Sequence, residues 1–415
     1  MEWSACVGVD WGDNEHAYEI RGRDGGHGSG KIGSSSEEFH EWVRRLRERF
    51  PTGTIIVAFE HGRWSLIYAL MVYEFLTLVP INPRASKAYR DSLRLSGASS
   101  DPADAALICD FALKHLSELR VWHPDDAITR KLRLLVESRR TLVDQRTAFT
   151  HMLADSLKQY YPQALQWFGG ETSRLLRAFL LRWPTLDLMR TAGLEDIADV
   201  MRAQRCRKVS ALAQGLIEKI GAAVPLTGDK AVIDGCSMYA LSLVAIIEPL
   251  DGQIDRYDKA IALAWSNHPD RKLFDSLPGA GKVMAPRLAV AFGRDRSRYH
   301  SPHEVQCYSG IAPVVEQSGR QRWVHARWGY PKFLHQTFHE FAQASLPYSA
   351  WARAVYQQHR GHDEVGHHEA IRALAFRWIR ILFRLWKTGE LYDEQRHIDT
   401  LRKKQSPIVD RLAAV

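Results

Sequence analysis

The spacing of apolar residues predicts strands and helices that alternate along the first part of the chain. Two short apolar runs read as buried strands, and each ends in a carboxylate, Asp10 or Glu60. The predicted strands are residues 5–10, 16–21, 54–59 and 76–81. The predicted helices are residues 36–49, 64–75 and 101–116, with a Gly-rich turn over 24–30 and Asp101 as the N-cap of the last helix. This alternation indicates an α/β domain.

The middle of the chain, from about Pro124 to Asp270, shows no strand pattern and is predicted to be helical. One stretch has a 4-3-4-3 spacing of apolar residues that is typical of an a/d seam, at Leu243, Ile247, Leu250, Ile254, Tyr257, Ile261 and Ala264. An intramolecular helical hairpin and a dimerising coiled coil both fit this seam. From Arg271 onward the pattern predicts short helices and loops, and a charged surface tail follows Leu391.

The excess positive charge of the chain lies in its last third. The 415 residues carry a formal net charge of +8, and residues 271–415 hold 23 Lys and Arg against 13 Asp and Glu. Residues 1–120 hold 14 basic and 17 acidic residues. A polyanion such as nucleic acid is therefore expected to bind mainly the last third. The five widely spaced Cys, without a CxxC pair, indicate a reducing cytoplasm, and no apolar stretch is long enough to predict a membrane span.

Four acids in the predicted α/β domain form a candidate metal site. Asp10 and Glu60 end two strands, and Asp101 and Asp104 lie three residues apart at a helix start. Groups at the carboxyl ends of central strands converge at one edge of an open α/β sheet, and converging carboxylates repel unless cations lie between them. Hard oxygen ligands suit Mg²⁺ or Mn²⁺, which support phosphoryl transfer.

Two further motifs lie in the basic last third. Pro278-Gly279-Ala280-Gly281, followed by Lys282, reads as a hairpin between two helices, of the helix-hairpin-helix kind, that can approach a phosphate through backbone N–H groups. Ser318-Gly319 is flanked by Arg320 and Arg322, so its hydroxyl could attack a phosphodiester. By composition, Ser309-Gly310 is an equal candidate.

Taken in order, these motifs resemble the IS110-type transposases along nearly the whole chain. The resemblance is carried by Gly8-Val9-Asp10, Ala58-Phe59-Glu60, Asp101-Pro102-Ala103-Asp104-Ala105, Pro278-Gly279-Ala280-Gly281, Tyr308-x-Gly-x-x-Pro313 and Ser318-Gly319. It implies a RuvC/RNase H-like domain at residues 1–122, a helical coiled-coil region at 123–270, a mainly α transposase domain with a helix-hairpin-helix-like segment at 271–390, and a charged tail at 391–415. Among the serines, the resemblance selects Ser318 as the nucleophile.

The resemblance also implies a reaction and its partners. The serine would form a covalent phosphoserine link to DNA, while Asp10, Glu60, Asp101 and Asp104 bind Mg²⁺ near the scissile phosphate. Donor and target DNA would be selected by a structured bridge RNA from the element, and the protein would act as a dimer or tetramer near the bacterial nucleoid. The expected nucleic-acid contacts are Gly279, Gly281, Lys282, Arg320, Arg322, Arg327 and Lys332. The family's usual basic segment after the serine is replaced here by residues 326–335, where Trp328, Tyr330 and Pro331 depart from the pattern.

Three alternatives remain at this point. A RuvC-like nuclease or junction resolvase would use metal-activated water and form no covalent intermediate. A non-enzymatic repressor would bind nucleic acid without cutting it. An actin-like ATPase would use the Val9-Asp10-Trp11-Gly12 segment as a phosphate loop, although Asp13 and Glu15 would repel the phosphates there.

Overall fold

The computed structural model describes residues 2–60, 64–93, 100–361 and 366–412. The chain divides into two compact units, Met1–Asp125 and Asp126–Val415. The first unit is a mixed α/β sheet domain and the remainder is mostly helical; helix makes up 62% of the described residues. The predicted middle region and transposase domain fall together in the second unit, so the finer division at residue 270 stays a prediction.

The first unit contains five strands and four helices. They are β1 (Trp3–Trp11), β2 (Glu15–Gly22), β3 (His27–Gly33), α1 (Ser36–Arg49), β4 (Thr54–Glu60), α2 (Trp64–Leu70), β5 (Leu76–Ile81), α3 (Pro83–Leu93) and α4 (Asp101–Lys114). The strand order is β3-β2-β1-β4-β5. Strands β1, β2 and β3 pair antiparallel, whereas β4 runs parallel to both β1 and β5. This mixed sheet fits a RuvC-like N-terminus.

Both faces of this sheet are covered, which explains the continuous apolar runs in the central strands. On one face, Val7, Val9, Val57 and Phe59 pack with α1 and α2 around Trp42 and Leu66. On the other face, Cys6, Ile56, Ala58 and Val79 pack against Ile108, Cys109 and Ala112 of α4. Because side chains alternate along a strand, Asp10 and Glu60 belong to the face that α4 covers.

Three details of the predicted elements are wrong in this unit. Half of the predicted Gly-rich turn is strand β3, whose glycines pair with β2. Helix α2 ends at Leu70 rather than at residue 75. The N-cap of α4 is Ser100, so Asp101 is the first helical residue. Strand β3 has three glycines and a single large apolar residue, Ile32, so it lacks the apolar alternation that would predict a strand.

The second unit contains fifteen described helices and one two-stranded hairpin. They are α5 (Ala127–Tyr160), α6 (Gln163–Trp167), α7 (Arg174–Arg182), α8 (Leu186–Arg190), α9 (Leu194–Ala203), α10 (Val209–Ala222), α11 (Lys230–Ser266), α12 (Arg271–Asp275), α13 (Gly281–Phe292), α14 (Pro302–Tyr308), β6 (Val314–Ser318), β7 (Gln321–His325), α15 (Lys332–Ser345), α16 (Ala350–Arg360), α17 (His367–Thr388), α18 (Glu394–Lys403) and α19 (Ile408–Leu412). The sequence pattern missed the hairpin.

The long helices α5 and α11 pack along each other and connect two hydrophobic cores. Leu153 and Leu157 of α5 join Leu243 and Ile247 of α11 in one core. Leu132 and Val136 join Ile261 and Trp265 in the other, together with α13, α15 and α17. The predicted a/d seam therefore faces α5 within the same chain. Pro249 lies on the exposed side of α11, and the helix continues through it.

Helix α11 is the one described helix long and apolar enough to pass a length-and-composition test for a membrane span. Its acids argue for a place in a helical core instead. Asp251 pairs with Arg146 and with the buried Arg177, and Asp258 pairs with Arg139 at 2.6 Å. We therefore interpret α11 as a core helix of the second unit.

Candidate active site

The acids of the first unit are positioned by a close contact between α4 and β1. A Cβ atom on Gly8 would lie 2.3 Å from the Ala105 carbonyl oxygen and 2.5 Å from the Cys109 amide nitrogen. The Cys109 thiol also contacts the Cys6 carbonyl at 3.5 Å. Glycine at position 8 thus lets the helix backbone lie directly on the strand.

This contact fixes where the start of α4 lies. Ala105 is level with Gly8, and Cys109 lies between Gly8 and Cys6, so the helix runs antiparallel to β1. Four helix residues rise about 6 Å and two strand residues rise about 6.6 Å, which puts Asp101 level with Asp10. The β1–β4 pairing ends at Val9–Phe59, and continuing its register would place Asp10 beside Glu60. Three of the predicted acids therefore lie at one level on one face.

Lys31 of β3 interacts electrostatically with one of these acids. Asp10 pairs with Ala17, and Ala17 pairs with Lys31, so all three form a row across the sheet. The Glu15 carboxylate, 2.5 Å from the Lys31 ammonium, raises the pKa of Lys31, and the charge of Asp101 adds to this rise. Asp101 therefore lies within electrostatic reach of this row.

Asp104 differs from the other three acids. Its side chain is buried, and Arg90 of α3 approaches its carboxylate at 3.1 Å. Among the described residues, no three His, Cys, Asp or Glu side chains are close enough to form a metal-binding group. The four carboxylates supply the oxygen donors that Mg²⁺ and Mn²⁺ prefer. Asp10, Glu60 and Asp101 also lie at the same level on the same face of the sheet. In this conformation they do not form a closed cage, and Asp104 is held by an arginine.

A further carboxylate, which the sequence did not single out, secures α4 on the sheet. Asp110 accepts hydrogen bonds from Arg21 of β2, Lys114 and the Tyr89 hydroxyl. Burial by itself would raise the pKa of Asp110, but these three hydrogen bonds outweigh it and lower the pKa to about 2. The helix that carries Asp101 is thus tied to an antiparallel strand by charge as well as by packing.

In the second unit, Ser318 is the last residue of β6. It pairs with Gln321 across a two-residue turn, Gly319-Arg320, in which Gly319 has φ = 58°. Turns of this kind require positive φ, which explains the glycine. Both strands of the hairpin are exposed, so the Ser318 hydroxyl is accessible. Ser309, the other candidate, is fully buried and donates to the Gln306 carbonyl at 3.3 Å.

The register of the hairpin separates its functional groups into two faces. Ser318, Glu316 and His325 lie on one face, because alternate residues of a strand share a side. Arg322 pairs with Gln317 and lies on the opposite face. The Glu316 carboxylate bonds the His325 ring at 3.0 Å and raises the pKa of that histidine. This Glu–His pair was not among the residues predicted from the sequence, because residues 314–318 carry no apolar alternation that would reveal a strand.

The base of the hairpin is anchored by rings. A Cβ on Gly310 would lie 2.4 Å from the Tyr330 ring, and Tyr330 stacks on His335 with ring centroids 4.5 Å apart. Nδ1 of His335 lies 3.2 Å from the Ser309 carbonyl oxygen, to which it donates. The segments before and after the hairpin therefore meet at His335. Tyr330, a departure from the family pattern, has this structural task.

The predicted nucleic-acid contacts fall into two groups. Gly281, Lys282, Arg320, Arg322 and Lys332 are exposed. Gly279 is packed, since a Cβ there would lie 2.1 Å from the Ala344 carbonyl oxygen. Arg327 is half-buried and donates to the Cys307 sulfur at 3.5 Å. Nearby, Arg294 and Arg296 both bind the buried Asp270, at 2.6 and 2.7 Å, and so serve an internal charge network.

Comparison with known proteins identifies this combination of segments. A transposase family model, the DEDD domain of IS110 transposases, matches residues 7–162, which contain all four acids. A second model, the transposase IS116/IS110/IS902 family, matches residues 271–357, which contain Ser318. The chain belongs to the IS110 family of transposases. It is accordingly an enzyme that cuts and rejoins DNA, and it binds DNA as substrate.

Similar proteins align with this transposase over most of its length. The mini-circle candidate transposase of IS117 from Streptomyces coelicolor is 26% identical over 404 residues, covering 94% of this chain and 95% of the relative. The 44.8 kDa protein of insertion element IS116 from Streptomyces clavuligerus is 24% identical over 93% of this chain and 95% of its own. The 42 kDa protein of IS900 from Mycobacterium paratuberculosis is 25% identical over 80% and 82%.

Proposed function

We propose that this transposase moves an insertion element through a covalent protein–DNA intermediate formed on Ser318. The observation that carries this proposal is the contrast between an exposed Ser318 beside Arg320 and a fully buried Ser309. The Ser318 oxygen attacks the scissile phosphate, a phosphorus–oxygen bond to serine forms, and the bond to the departing strand breaks. Attack by the hydroxyl of another strand reverses these steps and releases the serine.

Proton transfer and charge stabilisation fall to neighbours of Ser318. Glu316 lies on the same face of the hairpin and is fixed by its hydrogen bond with His325. It accepts the proton of the Ser318 hydroxyl and then passes it to the oxygen of the departing DNA strand. Arg320 in the turn stabilises the charge that develops on the phosphate. Lys282, Arg322, Arg327 and Lys332, together with the Gly279–Gly281 turn, hold the DNA backbone or the RNA.

Asp10, Glu60, Asp101 and Asp104 would hold Mg²⁺ or Mn²⁺, which supplies charge neutralisation at the phosphate. A divalent-metal requirement is what a DEDD nuclease-like domain suggests. For Asp104 this role requires release from Arg90. The placement of Asp10, Glu60 and Asp101 toward one level of the same sheet face supports a shared role for these three carboxylates.

The guide and the assembly are also part of the proposal. Selection of donor and target DNA by a bridge RNA is supported by the family resemblance, and so is a cytoplasmic, nucleoid-associated place of action. A dimer or tetramer is supported by a row of partly exposed apolar residues seven apart on α11, Val232, Tyr239 and Ile246, which are 37–49% exposed and flank the seam.

A strand-transfer assay tests this proposal against its alternatives. The full chain is incubated with the element's RNA, Mg²⁺ and matched donor and target duplexes, and recombined junctions are expected. Scrambling the guide segments of the RNA should abolish them. Nicked products with free ends would favour a RuvC-like nuclease using water, and binding without cutting would favour a repressor; either result contradicts the covalent route.

A further inference from the structure

An open cavity of about 270 Å³ lies between α15 and α17, beside the base of the hairpin that carries Ser318. The chemistry proposed above uses none of its lining residues, although His335 also fixes the base of the hairpin. The lining consists of His335, Gln336, His339 and Glu340 from α15, and of His368, Glu369 and Arg372 from α17. Helix α15 contributes two pairs of residues four apart and α17 contributes one, and residues at this spacing lie on the same side of a helix.

The rings of the cavity form a continuous row. Tyr330 stacks on His335, and the planes of His335 and His339 are within 15° of parallel with centroids 6.3 Å apart. His368 follows, 5.7 Å from His339. The 6.3 Å spacing is close to twice the base-stacking distance of about 3.4 Å.

Two rings of this row, His335 and His339, present flat surfaces. Burial lowers the pKa of both His335 and His339, which favours the uncharged form of each ring. His335 is held by the Ser309 carbonyl, and His339 is held by a hydrogen bond to the His368 backbone. Neutral, fixed rings are suited to stacking rather than to binding an inorganic anion. The described residues also form no metal-binding group here.

The polar groups of the lining complement the rings. Glu340 is neutralised by Arg140 at 2.8 Å and by the buried Arg287. Glu369 has Arg372 at 3.9 Å. With both carboxylates paired, the lining does not repel a phosphate, and Arg372 can attract one. The Gln336 amide offers a donor and an acceptor of the kind that pairs with the edge of a base.

We infer that this cavity holds one unpaired nucleotide, with its base stacked in the row of histidine rings and its phosphate beside Arg372. A transposase that exchanges strands must handle unpaired nucleotides, from DNA or from RNA, next to the cutting site. The inference rests on the nucleic-acid substrate of this family and is independent of covalent chemistry at Ser318.

Binding of short single strands tests this site directly. The full chain is titrated with a fluorescently labelled eight-nucleotide oligothymidine and with an abasic strand of the same length and charge. The base-bearing strand should bind about tenfold more tightly, as expected for stacking of one base. Parallel titrations with oligouridine and oligothymidine show whether RNA or DNA is the preferred source.

Variants assign the difference to the cavity. His339→Ala should remove the preference for the base-bearing strand, whereas His339→Phe, which keeps a flat ring, should retain it. Thermal melting of each variant shows whether it is folded, and the Phe variant keeps the test decisive if the Ala variant is not. Equal binding of the base-bearing and abasic strands by the unaltered protein would overturn the inference, and so would an undiminished preference in a folded His339→Ala protein.

Discussion

The acid face of the first unit and the serine hairpin of the second are built in opposite ways. Asp10 and Glu60 follow directly after fully buried residues of a covered sheet, and Asp101 starts a helix whose backbone lies on Gly8. Ser318 lies in a two-stranded hairpin whose residues are nearly all exposed, including Trp323 at 50% and Val324 at 59%. Isolated two-stranded hairpins are marginally stable in water.

The positions of the functional groups are therefore set by different parts of the structure in the two sites. The fold itself sets the level and face of the acids, so the first unit needs only its own core. The hairpin is fixed at its base by Tyr330 and His335 and has no core beneath Ser318. We therefore expect the serine to reach its final geometry only when nucleic acid or a second copy of the chain covers the hairpin.

The largest effect on DNA cutting is expected for Asp10→Asn. Loss of one carboxylate charge from the acid face should reduce DNA cutting about 10²- to 10³-fold, by analogy with removal of one stabilising group from an active site. Cutting is measured on matched duplexes with saturating Mg²⁺. Asp13→Asn, in the exposed turn that follows, is the matched control and should cut normally. Comparable cutting by both variants would contradict the acid-face account.

Gly8→Ala should have the largest effect on stability. The new Cβ would meet backbone atoms of α4 at 2.3–2.5 Å, so the helix must move away from β1. Overpacking of this kind costs about 2–3 kcal/mol of unfolding free energy. Urea denaturation of the full chain, followed for the first unit, measures this loss.

A matched control for Gly8→Ala is Gly215→Ala in α10, where a Cβ would meet no atom within 4 Å. That change should leave stability unchanged or raise it by about 0.5–1 kcal/mol. If Gly8→Ala lowered the free energy of unfolding no more than this control, the close contact between α4 and Gly8 would be contradicted, and with it the placement of Asp101 level with Asp10.

Asp110→Asn should weaken the same helix in a pH-dependent way. The folded pKa of about 2 lies below the usual value of 3.8, so the stabilisation is complete above about pH 4 and is lost as the pH falls toward 2. The variant should be less stable than the unaltered protein by about 1 kcal/mol at neutral pH. Urea denaturation between pH 2 and pH 7 measures both proteins. A difference that persisted undiminished at pH 2 would contradict the ionic attachment through Arg21.

The smallest global effect is expected for Gly319→Ala. The left-handed conformation at φ = 58° costs an alanine about 1 kcal/mol locally, but no atom lies within 4 Å of its Cβ. Because the hairpin contributes little to the core, the global unfolding midpoint should not change. Hydrogen exchange at the hairpin amides should become faster, and a lowered global midpoint would show that the hairpin is part of the core after all.

The sequence was most informative where one physical rule decides the structure. Continuous apolar runs predicted β1 and β4 because both faces of this sheet are buried, and strand-end acids predicted Asp10 and Glu60 at its edge. Helical spacing predicted α1 with its exact bounds. These features depend on local periodicity, which a single sequence carries.

Other features depend on partners distant in the chain. The hairpin β6–β7 is exposed on both faces, so it has no apolar alternation to reveal it. The pairing of Arg90 with Asp104 and of Arg294 and Arg296 with Asp270 can be recognised only in the folded chain. The sequence alone does not show that these three arginines are paired with buried carboxylates.

The most direct test of the central claim is the chemical identity of the protein–DNA link. The full chain is reacted with the element's RNA, Mg²⁺ and a matched duplex, denatured, digested and examined by mass spectrometry. The account predicts a nucleotide attached to the peptide that contains Ser318, absent in Ser318→Ala and retained in Ser309→Ala. An adduct that persists in Ser318→Ala, or efficient cutting by the unaltered protein with no adduct at any time, would contradict it.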